Sequence, residues 1–419
     1  MNRVWIAGVF VLCLTAYVPC GLALEENAPS ESKTKSTNQG DYGDEHDDEG
    51  EIALTAGYDK TAMNGFFIRS EDQSFRLNIG AYTQFRYDAN WRDAPAGQDD
   101  FTSEFSIRRT RIFFEGNYTP EFNYHLRMQI DNEDDFSLLI AWMQYNFGES
   151  KRWNLRAGRQ FVAMSREDWQ FAEDTLTTEY SPNDDTFAIG TSDAVQVNFT
   201  ADRQRLWAAI GNGAYGGKRT FPDNEPSDIA LTGRWEYQLD GTDWSVWDDL
   251  IGRRGRPRGI LFGIAGGYED KASNSVPDPT AIESGTQLNL DLSVNGNGYQ
   301  AMVAGSVTWS EPQMGSSFYN YGILVQGGYF FTEKLQVYGQ YNLISPGDQP
   351  GTLETFNSIT AGVSYFPFVR TNRWKFSGEL GYLFDAINNT LVKPSGGLGW
   401  LSSDEDGQLY ARIQAQFGF

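Results

Sequence analysis

Apolar and polar residues alternate one by one in many separate stretches of this chain, from Phe75 to its last residue, Phe419. Successive side chains of a strand point to opposite faces, so this alternation predicts strands with one apolar and one polar face. Sixteen segments show it: 75–91, 104–118, 122–131, 137–147, 153–160, 194–200, 205–211, 229–239, 259–269, 286–294, 299–310, 318–331, 335–343, 357–366, 374–385 and 408–419. The pattern predicts an all-β protein.

The connections between these segments alternate between short and long. Short ones include 119–121, 148–152, 201–204, 295–298 and 332–334, and long ones include 92–103, 161–193, 212–228, 270–285, 344–356 and 386–407. Transmembrane barrels have short periplasmic turns at one end and longer outer loops at the other. A soluble β-sandwich also alternates, but it needs neither sixteen segments nor loops sorted by length.

The sequence therefore predicts a transmembrane antiparallel β-barrel of about 16 strands in the cell outer membrane. The last strand should pair with the first, because closure leaves no strand edge unpaired in lipid. Residues 240–258 are the exception to the loop pattern, since they would form an oversized periplasmic turn.

The N-terminal part of the chain has a different composition. Residues 1–23 have the charged start, apolar run and small residues of a secretory signal peptide, with a lipid anchor at Cys20 as the alternative. Residues 24–64 are acidic and poor in apolar residues, which predicts a disordered segment. The barrel is expected to occupy 65–419. Both cysteines, Cys13 and Cys20, precede it, so no disulfide is predicted.

Charge and residue content narrow the functional classes. The formal net charge of −23 argues against nucleic acid as a partner. His46 and His125 are the two histidines, and the mature chain lacks a thiol and a Gly-x-Ser-x-Gly nucleophile elbow. We therefore predict that the protein is not an enzyme and needs no cofactor or metal, with His125 a polar residue of the lumen.

Alternation directs a set of basic residues into the lumen: Arg76, Arg86, Arg109, Arg111, Arg127, Arg156, Arg234, Lys375 and Arg412. The five from Arg76 to Arg127 lie on three successive predicted strands and would form a patch on one wall. Guanidinium groups in a narrow pore favour anions, because they replace lost hydration with oriented donors and a positive field. The alternative is that they pair with lumen acids and brace the wall without selectivity. Those acids are Asp88, Glu115, Asp131 and Glu236.

Residues 161–193 form the longest insertion between predicted strands. A loop of this length is usually functional, and we expect it to fold into the lumen and narrow it. Its charged residues are mostly acidic, which would oppose an anion filter unless they bind cations or point away.

Four stretches of the sequence resemble the phosphate- and polyphosphate-selective porin O and P family. They are Phe-Ser-Ile-Arg-Arg-Thr-Arg-Ile-Phe-Phe-Glu-Gly at 105–116, Leu-Arg-Ala-Gly-Arg-Gln-Phe at 155–161 with Ser-Arg-Glu at 165–167, Tyr-Gly-Ile-Leu-Val-Gln-Gly-Gly-Tyr at 321–329, and Arg-Ile-Gln-Ala-Gln-Phe at 412–417. The resemblance implies a homotrimeric, sixteen-stranded porin in outer-membrane lipid whose lumen arginines and lysines pass phosphate or related anions. It also implies that Arg108, Arg109 and Arg111, which match the arginine-rich second strand of the family, determine selectivity. The acidic loop at 161–193 departs from the lysine-rich constriction of that family.

Together these features predict a porin for passive diffusion of small hydrophilic solutes, with a preference for anions such as phosphate. The alternative is a non-conducting structural or surface-binding barrel. The two differ in whether residues 161–193 leave an aqueous path through the lumen or plug it.

Overall fold

The computed structural model describes residues 53–58, 65–131, 136–162, 164–212, 227–271, 282–348 and 353–419. The predicted signal peptide lies outside the described residues, as does most of the acidic segment. Among the residues described, no helix is both long and apolar enough to cross a bilayer.

Strands dominate the fold. They are β1 Leu54–Tyr58, β2 Phe66–Ser70, β3 Arg76–Trp91, β4 Phe101–Asn117, β5 Phe122–Asp131, β6 Phe136–Phe147, β7 Trp153–Phe161, β8 Thr191–Thr200, β9 Gln204–Gly211, β10 Ser227–Asp240, β11 Gly259–Lys271, β12 Ile282–Gly296, β13 Tyr299–Pro312, β14 Phe318–Phe330, β15 Leu335–Ser345, β16 Phe356–Tyr365, β17 Lys375–Leu383 and β18 Gln408–Gly418. A short helix, α1 Pro182–Phe187, lies between β7 and β8.

Strands β3 to β18 form a closed antiparallel barrel of sixteen strands. Each strand pairs with its sequence neighbour, and β18 returns to pair with β3 from Leu409↔Trp91 to Gly418↔Tyr82. Each of the sixteen segments predicted from alternation overlaps one of these strands. The predicted fold class and the closure by the last strand are confirmed.

The two faces of the wall differ as a membrane barrel requires. On β12, Leu288 and Leu290 are 45% and 43% exposed on the outer surface. The residues that follow each of them, Asn289 and Asp291, are buried inside the barrel. Leucines can face lipid, while polar side chains must find partners in the interior. By the rule of short periplasmic turns, the ends of β7 and β17 that lead into long loops lie on the outer side.

A hairpin of β1 and β2 was not predicted. It begins inside the segment expected to be disordered, so that prediction is wrong for Leu54–Tyr58. β2 pairs with the first residues of β3, from Phe66↔Ile79 to Arg69↔Arg76, beyond the point where β18 ends. The hairpin thus satisfies backbone groups that would leave β3 with an open edge. Its strands are five residues long, too short for the alternation to be visible.

Two connecting segments enter the barrel interior. The inward loop (residues 162–190) joins β7 to β8 from the outer side, and its Leu176 packs with Leu250 and Tyr338. Leu250 belongs to the periplasmic segment (residues 241–258), which also enters the barrel and buries Trp247 and Ile251. The entry of this segment into the lumen explains why the periplasmic turn is so long.

Candidate functional site

The inward loop is held in shape by its own buried carboxyl groups. Ser181 caps α1 and donates its hydroxyl to Glu167 at 2.6 Å, while Ser165 donates to Asp184 at 2.8 Å. Burial, helped by the charge of Asp184, raises the pKa of Glu167 to about 8. Burial likewise raises the pKa of Asp184 to about 7. These two groups therefore stay protonated to a higher pH in the folded loop than they would in water.

Further along the loop, Glu179 lies at the centre of an arginine cluster. Its carboxylate accepts from Arg108 Nε at 2.6 Å, from Arg109 Nη2 at 2.5 Å and from Arg86. Arg86 also binds Asp88 at 2.6 Å. Burial alone would raise the pKa of Glu179, but the three guanidinium groups hold it well below its usual range.

A β-bulge explains how two adjacent arginines reach the same carboxylate. Along β4, Arg109 pairs with Gln84 and Ile107 pairs with Phe85, so Arg108 is an extra residue without a partner on β3. An extra residue re-aims a side chain that regular alternation would send to the opposite face. Arg108 therefore joins Arg109 inside the barrel.

A second loop carboxylate, Glu173, gathers three more arginines. Arg127 lies 2.9 Å from it, Arg373 lies 3.1 Å from it and Arg111 lies 4.0 Å from it. Burial opposes ionisation, but the charges of Arg127, Arg373 and Arg111 outweigh it and lower the pKa of Glu173 to about 2. Lys375 donates to the backbone oxygen of Thr175 at 3.2 Å, which adds another cation at this depth.

Arg234 belongs to a separate, fully buried network on the far wall. It lies 2.8 Å from Glu236 and 2.7 Å from Asp291, and Arg166 of the inward loop lies 3.7 Å from Glu236. Charges are balanced here, so this network braces the inward loop against β10 and β12.

Of the three remaining predicted residues, Arg412 lies 3.1 Å from Asp88 and 2.9 Å from Glu379, whereas Arg76 and Arg156 are not drawn into these clusters. Arg76 is exposed at the periplasmic end of β3, where it donates to Asn78 at 2.9 Å. Arg156 lies on β7, donates to Gln144 at 2.8 and 3.0 Å and stacks over Trp142, with 4.1 Å from its guanidinium carbon to the ring centroid. The structure thus brings together Arg86, Arg108 and Arg109 around one acid, and Arg111 and Arg127 around another.

Sequence reasoning did not find the main counterions. Of the wall acids expected to pair with arginines, Asp88 and Glu236 do so, whereas Glu115 binds His125 at 3.2 Å. The principal partners, Glu173 and Glu179, lie on a loop whose path alternation cannot predict. The lysine-poor composition of that loop is consistent with its role here, because it supplies the anions of the arginine clusters.

Comparison with known proteins agrees with this architecture. Residues 79–238 match the sequence profile described as phosphate-selective porin O and P. No curated protein sequence matches the chain.

Several solved outer-membrane structures share the fold. An anion-selective porin from Comamonas acidovorans has a TM-score of 0.54 at 12% identity, covering 82% of this chain and 99% of that one. The trimer form of OmpT, an outer membrane protein of Vibrio cholerae, has a TM-score of 0.52 at 13% identity, covering 82% of this chain and 99% of that one. The outer membrane channel DcaP of Acinetobacter baumannii has a TM-score of 0.53 at 10% identity, covering 83% and 99%.

The chain's resemblance to the phosphate-selective porin O and P family is thereby confirmed over residues 79–238, and the protein is a porin-type channel of the cell outer membrane.

Proposed function

We propose that this channel passes small anions, phosphate among them, along the arginine wall of β3, β4 and β5. The observation that carries the proposal is the unequal pairing in the lumen. Glu179 faces Arg86, Arg108 and Arg109, and Glu173 faces Arg111, Arg127 and Arg373. Each of these loop carboxylates faces three guanidinium groups, and an excess of positive charge remains even with the loop in place and with Asp88 also paired to Arg86.

The two loop carboxylates act in this proposal as tethered counterions. Arginine presents several donors in a fixed fork that matches carboxylate and phosphate oxygens alike. An entering anion can therefore take over donors from Glu179 or Glu173 as the inward loop shifts. The arginines then keep an anionic partner throughout the exchange. An unpaired guanidinium group would be energetically unfavourable in a confined lumen. The anion-selective porin from Comamonas acidovorans, with the same fold, is consistent with this assignment.

Planar-bilayer recording of the purified protein tests the proposal. In a potassium chloride gradient the reversal potential should indicate anion preference, and added phosphate should reduce the chloride current by competing for the arginines. The double variant Arg109→Ala/Arg111→Ala should lower anion over cation permeability, whereas Arg76→Ala, at the exposed end of β3, should leave it unchanged.

Three results would contradict the proposal. Cation selectivity of the unmodified protein would exclude the anion preference. An unchanged reversal potential in the double variant would exclude Arg109 and Arg111 as its source. Complete lack of conductance, including in a variant with the inward loop shortened, would favour the non-conducting barrel instead.

We also propose that the channel works as a homotrimer in outer-membrane lipid. The trimer form recorded for the Vibrio cholerae protein of the same fold supports this assembly. Mass measurement of the detergent-solubilised protein by light scattering would give the number of chains per particle, and a monomer mass would contradict the proposal.

A further inference from the structure

A cavity of about 160 Å³ lies between the barrel wall and the inward loop, beside the second arginine cluster, whose Arg127 lies 3.4 Å from the ring centroid of Phe171. Its wall side consists of lumen-facing residues on five consecutive strands, β5 to β9, among them His125, Trp142, Arg156 and Trp207. Trp169 and Phe171 of the inward loop close the other side. We call this cavity the aromatic pocket.

The aromatic pocket contains a cation without a counterion. Among the described residues, Arg156 donates from Nε and Nη2 to Gln144 alone, and a guanidinium group carries five N–H donors. None of the described residues that line the pocket is an Asp or Glu. The nearby Glu115 is already engaged with Nδ1 of His125 at 3.2 Å. Arg156 therefore has donors and charge to offer to a ligand.

A second donor belongs to another residue that lines the pocket. The indole nitrogen of Trp169 is buried and has no hydrogen-bond acceptor among the described residues. A buried N–H group without an acceptor is costly, and native proteins seldom retain one without a ligand or water to receive it. A carboxylate has two acceptor oxygens and a negative charge, which suits a guanidinium group and an indole N–H.

Most of the other lining side chains are aromatic, with Ile140 and Gln196 beside them. Trp169 and Trp207 have ring centroids 5.7 Å apart, and His125 lies 5.7 Å from Trp142 and 5.9 Å from Phe171. Ring faces pack favourably against another aromatic ring and would lose that gain against a strongly hydrated inorganic ion. A mostly aromatic cavity with few polar groups is the usual form of a site for small organic ligands.

We propose that the aromatic pocket binds a small aromatic monocarboxylate, with the carboxylate on Arg156 and Trp169 and the ring among the aromatic side chains. A ligand held in this way contacts the wall and the inward loop at once. Its binding therefore holds the loop in its inward position and lowers the current through the channel. The proposal does not depend on anion selectivity, because binding is measured in detergent without any current.

Isothermal titration of the full mature chain in detergent tests it, with benzoate as the probe and benzylamine and inorganic phosphate as comparison ligands. Benzoate should bind at one saturable site, and the other two should bind more weakly. Arg156→Gln should weaken benzoate binding about tenfold or more, as expected for a lost charged hydrogen-bond partner. Trp169→Phe keeps the ring and loses the donor, so it should weaken binding by a smaller factor. Arg76→Gln is the control that should bind as the unmodified protein does.

Absence of saturable benzoate binding would overturn the proposal, as would equal affinity in Arg156→Gln. Tighter binding of benzylamine than of benzoate would also overturn it, because the pocket would then prefer cations despite Arg156. Tighter binding of phosphate than of benzoate would overturn it too, because the pocket would then be part of the arginine wall. If Arg156→Gln does not fold, Trp169→Phe alone decides, and unchanged affinity in that variant would overturn the assignment.

Discussion

Replacing Glu179 by Gln removes the counterion at the centre of the first arginine cluster while keeping the shape of its side chain. Arg86, Arg108 and Arg109 each form an ion pair with its carboxylate, and its side chain is 1% exposed. The variant should therefore release the inward loop from β3 and β4 and raise the positive charge of the lumen.

The size of the effect follows from the geometry. At an effective dielectric constant of about 20, two unit charges about 4 Å apart attract each other by about 4 kcal/mol. Desolvation offsets part of this attraction, and removing one partner from a buried ion pair typically costs about 3–5 kcal/mol. We expect the docked position of the loop to lose stability of that order.

Two measurements check the result. The reversal potential in a salt gradient should shift further towards anion selectivity, and single-channel conductance should rise because the loop is less firmly held. Glu405→Gln is the matched control, since Glu405 is exposed on another outer connection and its change should alter neither quantity. A shift towards cations, or no shift in Glu179→Gln, would refute the role of Glu179 as a tethered counterion.

Two further predictions concern the loop and the barrel closure. The pKa of Glu167 is raised to about 8 and that of Asp184 to about 7 in the folded loop, so both remain protonated at pH values where the free groups would be ionised. The inward position should therefore lose stability as pH rises from about 4.5 towards 8; current recorded at increasing pH should rise in this window, and Glu167→Gln should flatten the rise. Phe419 exchanges backbone hydrogen bonds of 2.9 and 3.1 Å with Ala81, so deleting it should reduce the fraction of protein assembled in the outer membrane. Selectivity of the assembled fraction should not change, and normal assembly would argue against the closing role of this residue.

Alternation was sufficient to predict the sixteen barrel strands because the side-chain period of a strand is a local property. It could not place Arg108, since a bulge shifts the pattern by one residue and leaves no mark in the sequence around it. The hairpin of β1 and β2 was missed because each of its strands is five residues long and depends on the edge of β3.

The pairing of Glu179 and Glu173 with the lumen arginines could not be predicted for a different reason. Glu179 and Arg86 are 93 positions apart, and Glu173 meets Arg373 from a distance of 200 positions. The acidic composition of the inward loop predicted that it would oppose an anion filter, yet only the path of the loop shows which carboxylates meet which guanidinium groups. The lumen arginines and their wall partners Asp88 and Glu236 were predictable, whereas their partners on the inward loop were not.

The meeting of the inward loop and the periplasmic segment has a mechanical consequence. The backbone N–H of Leu250 donates to the carbonyl oxygen of Asp174 at 3.0 Å, and Arg166 donates to the carbonyl oxygen of Trp247. One connection reaches in from the outer side and the other from the periplasm, so together they form a continuous strut through the interior. Residues 241–258 are therefore coupled by these hydrogen bonds to a loop that enters from the opposite end of the barrel, so that displacement of one segment strains the other.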